Sequence, residues 1–137
     1  SILKGQKNRI KDEIHFDSLY ALLSLSLDAN EKNSTLEFIF KCIGVSEMVS
    51  TEKLILTLVK GNKSVWGYSI KFNDSDRVYR KGDLIKCCLT VQGNILNKGD
   101  KLGIRLNKLD IMNRWEGLKI IGSKETNQSG KRLLILL

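Results

Sequence analysis

The sequence predicts an all-β fold with an N-terminal helix, and three observations carry that expectation. Five apolar runs rich in leucine, isoleucine, valine and aromatic residues lie between Leu36 and Ile111. Glycine- and asparagine-containing turns separate most of them. The stretch from Arg80-Lys81-Gly82-Asp83 through Leu106 then repeats strand, glycine turn and strand at the spacing of a small closed barrel. The expected architecture is therefore a five-stranded Greek-key barrel over residues 36–112, with residues 1–35 as a helical and loop extension and residues 113–137 as a C-terminal β extension.

Taken in order, residues 7–27 place Ile10, Ile14, Leu19, Leu22, Leu23 and Ser26 near a 3.6-residue spacing, with Asp17 or Ser18 as an N-cap. This segment is expected to be at least partly helical. Leu23, Leu25 and Leu27 alternate with serines, a pattern that suits a strand equally. Asp28–Ser34 reads as a polar loop. The strands follow at Leu36–Ile43, Lys53–Val59, Val65–Phe72, Leu84–Val91 and Lys101–Ile111, with weaker candidates at Leu118–Ile121 and Arg132–Leu137. Gly61-Asn62, Asn73-Asp74, Gly93-Asn94 and Lys98-Gly99-Asp100 supply residues that tolerate left-handed turns.

Of the 137 residues, 42% are apolar, enough for a core without disulfides. Cys42, Cys87 and Cys88 sit inside apolar strand-like runs, which points to reduced thiols and a reducing compartment. Asn33, Asn62, Asn73 and Asn127 each begin an Asn-x-Ser/Thr acceptor pattern, the one feature that points to secretion instead. No run is long enough for a membrane span, and opening on Ser1, the chain reads as a piece of something longer. The net charge is +8. Residues 1–35 are balanced, with five cations and five carboxylates, whereas residues 36–110 hold thirteen against eight and residues 111–137 five against two. Such a surface suits a polyanion, either nucleic acid or an anionic membrane, or serves solubility alone.

Along Val65–Phe72 the alternation puts Trp66, Tyr68, Ile70 and Phe72 on one face. Ile70 and Phe72 are expected in the core, while Trp66 and Tyr68 either join them or stand exposed as a stacking platform for bases. Arg77, Arg80 and Lys81 surround Tyr79 in the next connector, and Arg105 lies on the last strand. The candidate nucleic-acid surface is thus Trp66, Tyr68, Arg77, Tyr79, Arg80, Lys81 and Arg105. The tail Leu133, Leu134, Ile135, Leu136 and Leu137 is the candidate protein contact, because an apolar terminal strand needs a partner within the chain or outside it.

The succession FIFKCIGVSEMVSTEKLILTLVKGN, KSVWGYSIKF, YRKGDLIKCCLTVQG and DKLGIRLNKLDI resembles an oligonucleotide-binding (OB) fold. More narrowly, it is similar to OB domains of replication protein A and of the telomere-capping CST complex. The likeness covers residues 36–112, and it departs from the usual pattern in leaving only Asn73–Lys81 for the helix such folds place between their third and fourth strands. The resemblance implies a nuclear module of a single-stranded DNA or telomere-end assembly. It would dock other subunits of that complex, form a homodimer, bind single-stranded DNA, or combine these.

Catalytic patterns do not emerge. His15 is the sole histidine and has no adjacent nucleophile, and Cys87 and Cys88 point to opposite faces of a strand, a poor geometry for shared zinc. Asp74, Asp76, Asp83 and Asp100 fall at turns, where aspartate caps backbone groups. No enzyme activity, cofactor or metal is expected. The competing class is a basic β-sandwich structural or assembly protein, such as a viral matrix or filament subunit.

Overall fold

A computed structural model describes residues 8–30, 32–44, 52–72, 78–93, 95–122 and 130–137. Among the described residues the chain forms ten strands and no helix: β1 (Ile14–Phe16), β2 (Tyr20–Ala29), β3 (Asn33–Cys42), β4 (Lys53–Lys60), β5 (Lys63–Lys71), β6 (Leu84–Gln92), β7 (Lys101–Leu109), β8 (Trp115–Gly117), β9 (Ile120–Ile121) and β10 (Leu133–Leu136). They make two antiparallel sheets. The first has the order β6-β3-β2-β1-β9 and the second β10-β7-β4-β5. Strand β8 pairs with β7 at Asn107–Leu109, beyond the part of the same edge that β10 occupies at Lys101–Ile104.

The five strands expected between Leu36 and Ile111 appear as β3 to β7, displaced at their ends by a few residues, and they divide between the sheets. The chain passes from the first sheet to the second between β3 and β4, and again between β6 and β7. Because β3 lies beside β6 and β4 beside β7, the two crossings interlock the sheets.

One cluster of buried side chains fills the space between them. It takes Leu36, Phe38 and Phe40 from β3, Leu54, Leu56 and Leu58 from β4, and Leu102, Ile104 and Leu106 from β7. These are alternate residues, as strands with one buried face require. Phe72, just past β5, sits edge-on to Tyr20 (5.1 Å between ring centroids) and Phe40 (4.9 Å), joining the two sheets through aromatic contacts. The Tyr79 hydroxyl donates to the Phe72 carbonyl at 2.9 Å and closes this corner.

The helix expected within residues 7–27 is absent from the described residues 8–27, which hold β1 and β2 instead. Its apparent periodicity has a local cause. Leu22 pairs with Phe40 and Ser24 with Ile39, so Leu23 is an extra residue in β2, a β-bulge. Leu22 and Leu25, three residues apart, therefore both face the core, which imitates helical spacing. The Asn8 side chain seats the neighbouring turn: its Oδ1 accepts from Leu25 N at 3.0 Å and from Ile10 N at 2.9 Å. Asp17, expected as a helix cap, lies in the β1–β2 hairpin turn with φ of 50°.

The aromatic corner defines a stability test. Phe40→Ala removes a fully buried ring that packs on Phe16 and Phe72. Chemical denaturation should show a loss of about 3–5 kcal/mol, whereas Ser26→Ala, on the outer side of β2, should stay within about 0.5 kcal/mol.

Candidate nucleic-acid interface

Strand β5 is the outer strand of the second sheet, so one backbone edge is unpaired within the described sheet. Its register sets Trp66 opposite Leu58, Tyr68 opposite Leu56 and Ile70 opposite Leu54. All three therefore share one face, as the alternation predicts, and it is the core side, at the margin where the two sheets part. Trp66 and Ile70 are half-buried against the core, and Tyr68 is 49% exposed. The Trp66 and Tyr68 rings stack at 6.1 Å between centroids with 9° between planes. Across the opening stands β6, the outer strand of the first sheet. Tyr68, Ile70 and Lys71 face Cys88 and Leu89 across a shallow cleft of about 300 Å³.

The opposite side of the second sheet faces outward and carries a different chemistry. Its cross-strand rows read Lys71, Lys53, Asn107; then Ser69, Ile55, Arg105; then Gly67, Thr57, Gly103, Leu134; and, at the far end, Val59, Lys101, Leu136. On this face β4, β5, β7 and β10 present the cations Lys53, Lys71, Lys101 and Arg105 and no carboxylate. The outer face of the first sheet is mixed by comparison: Lys86 pairs with Glu37 at 3.3 Å, and Thr35 meets Thr90.

Arg105 is held flat on its face. Its Nε donates to Asn107 Oδ1 at 2.7 Å, and its guanidinium overlies Gly117 of β8, where a β-carbon would lie 2.7 Å from Nη2. Lys53 reaches across β7 so that its Nζ stands 4.4 Å from the centre of the Trp115 ring, a cation–π contact. Trp115 is 45% exposed. It lies on a three-residue strand, too short to show a period, and only the β7–β8 pairing reveals that it shares a face with Arg105.

The other expected residues are dispersed. Tyr79 is 7% exposed, a core ring whose hydroxyl is already engaged, so it offers no face to a base. Arg80 and Lys81 are exposed in the turn entering β6, in the other sheet, where Arg80 N donates to Asp83 Oδ2 at 2.9 Å. Arg77 lies outside the described residues, as do Asn73, Asp74, Asp76, Asn94 and Asn127. The tail is folded onto its own chain: β10 pairs with β7, Leu133 and Leu137 are buried, Leu134 and Ile135 are half-buried, and Leu136 stands exposed.

His15, on β1, lies 2.9 Å from Glu13 at the surface. Among the described residues no group of three potential metal ligands comes together. No helix there is long and apolar enough to cross a membrane. The adjacent thiols separate as strand alternation requires, with Cys87 buried and Cys88 exposed. Cys42 is buried too, and its thiol donates to the Gly44 carbonyl at 3.2 Å. Burial pushes the Cys42 thiol up from its ordinary range, and Asp83 and Glu52 add to that effect. No protein-family model matches the chain, and no curated protein or solved structure matches it.

A raised pKa leaves Cys42 less thiolate at any given pH, so it should be slow to alkylate as well as inaccessible. Iodoacetamide added to the folded protein should modify Cys88 first, with Cys42 and Cys87 reacting only in denaturant. Peptide mass mapping of a time course reads this directly; early modification of Cys42 would contradict its burial.

Proposed function

We propose that this chain is a binding module, not an enzyme, that takes single-stranded nucleic acid on the second sheet. The observation that carries this reading is the outer face with four cations and no carboxylate, beside the exposed Trp115 and the Trp66–Tyr68 stack. Cations attract the phosphate backbone by releasing its counterions, and aromatic rings stack on bases whatever their sequence. Small residues at Gly67 and Ser69 keep the floor low on β5, and the Arg132 side chain lies over Gly103. The OB resemblance of residues 36–112 adds the finer form of the proposal: an OB-type barrel serving a nuclear, telomere-end or single-strand assembly. Other subunits, or a second copy, would dock on it.

A second reading has its own observation. Two antiparallel sheets around one core, each ending in a strand with an unpaired edge (β5 and β6), also describe a β-sandwich that assembles edge to edge. An assembly protein of that kind forms concentration-dependent oligomers with little affinity for DNA, and light scattering separates the two.

Titration of a labelled oligothymidylate at two salt concentrations tests the first reading. A stacked base is worth about 1–3 kcal/mol, so Tyr68→Ala should weaken binding by about fivefold or more. Arg105→Ala should flatten the logarithmic salt dependence by about 0.7. Gly117→Ala should weaken binding as well, by lifting the Arg105 guanidinium, while leaving thermal stability near that of the parent. Tyr79→Ala, by contrast, should cost stability because it removes a core ring. Absence of measurable binding at low salt by the parent protein would contradict the reading.

A further inference from the structure

The hairpin between β7 and β8 carries apolar side chains that the nucleic-acid surface does not use. Ile111 is fully exposed at its tip and Met112 is 67% exposed. The turn beneath them is firmly closed. Asp110 Oδ1 accepts from Met112 N at 2.8 Å and from Arg114 N at 2.9 Å, while Oδ2 takes Arg114 Nε at 3.0 Å. Backbone bonds from Asp110 N to Arg114 O and from Asn113 N to Asp110 O complete it, with Asn113 at φ of 58°. The backbone amide of Arg114 is the main influence holding the Asp110 carboxyl below its ordinary range, so this clamp is ionised at neutral pH. Two large apolar side chains thus stand on a braced tip.

What lies behind the tip is ordered by distance along the hairpin. Trp115 comes next, half-exposed, with the Lys53 ammonium over its ring. Arg114 precedes it in the chain, and Lys108, opposite Glu116, projects from the other face of the hairpin. Of the two local carboxylates, Asp110 is bonded to Arg114 and Glu116 stands across the ladder from Lys108. Apolar tip, amphipathic ring and cationic collar match the depth profile of a membrane surface. Acyl chains accept Ile and Met, the interface favours Trp, and anionic headgroups attract Lys and Arg.

We propose that the β7–β8 hairpin is a membrane-surface wedge, inserting Ile111 and Met112 into an anionic leaflet with Trp115 at the interface and Lys53, Lys108 and Arg114 on the headgroups. Two apolar side chains alone bind lipid weakly, so the cations must contribute and the wedge requires anionic lipid. This inference does not rest on nucleic-acid binding, although both surfaces draw on Lys53 and Trp115.

Co-sedimentation of the whole chain with phosphatidylserine-rich and with pure phosphatidylcholine vesicles tests it. The parent should bind the anionic vesicles about tenfold more tightly than the neutral ones, and the Ile111→Ser/Met112→Ser double variant, which leaves the charge unchanged, should lose about tenfold on the anionic vesicles. Both positions are exposed, so the double variant should keep the parent's melting temperature and its behaviour towards oligothymidylate. A Trp66→Phe background leaves Trp115 as the single indole, and its emission should shift to the blue on adding anionic vesicles. No binding to anionic vesicles overturns the proposal. Equal binding by parent and double variant also overturns it, because the basic face would then adsorb without insertion.

Discussion

The structure depends on one constraint, the burial of a single side-chain layer between two interlocked sheets. Leu36, Phe38 and Phe40 from one sheet and Leu54, Leu56, Leu58, Leu102, Ile104 and Leu106 from the other lose essentially all contact with water. Since strand side chains alternate, this burial dictates the opposite parity as well. Lys53, Ile55 and Thr57 on β4, and Lys101, Gly103 and Arg105 on β7, have to face outward. The cationic face is thus a consequence of the core, and a register slip of one residue on either strand would bury a lysine and expose a leucine.

That dependence explains which parts of the fold could be read from the sequence. Strands β3, β4 and β7 were legible because their two-residue alternation is uninterrupted, and β5 and β6 because turn residues bracket them. Strand β2 was misread as helix where Leu23 bulges, since one inserted residue converts the spacing of inward leucines from two to three. β1 and β8 are three residues each, too short to show a period. The candidate site was legible in part for related reasons. Trp66, Tyr68 and Arg105 follow from alternation along single strands, although their two faces of the sheet differ. Tyr79 was misjudged because its charged neighbours in sequence say nothing of the Phe72 carbonyl it reaches. Trp115 is not legible because β8 is too short to show a period, and only its hairpin pairing with β7 puts the ring on the face of Arg105.

The unpaired edges set the chemistry that remains available. At β5 the core-facing side chains Trp66, Tyr68 and Ile70 overhang the opening, so an aromatic stack and a cationic sheet face meet along one strand. At the β7–β8 end the same face terminates in a braced apolar tip. Both regions complement negative charge, and neither draws on the mixed outer face of the first sheet. Salt should weaken attraction at both, because the cations are at the surface. Contacts made by stacked rings or inserted side chains should respond less.

The central claim is that the second sheet, and not the first, is the binding face. Backbone amide NMR during titration with oligothymidylate tests it most directly. The account predicts shifts concentrated in β4, β5 and β7, with Lys53, Ser69, Lys71 and Arg105 among the most affected and β2 and β3 unchanged. Shifts confined to β2, β3 and β6, or spread evenly over both sheets, would contradict it.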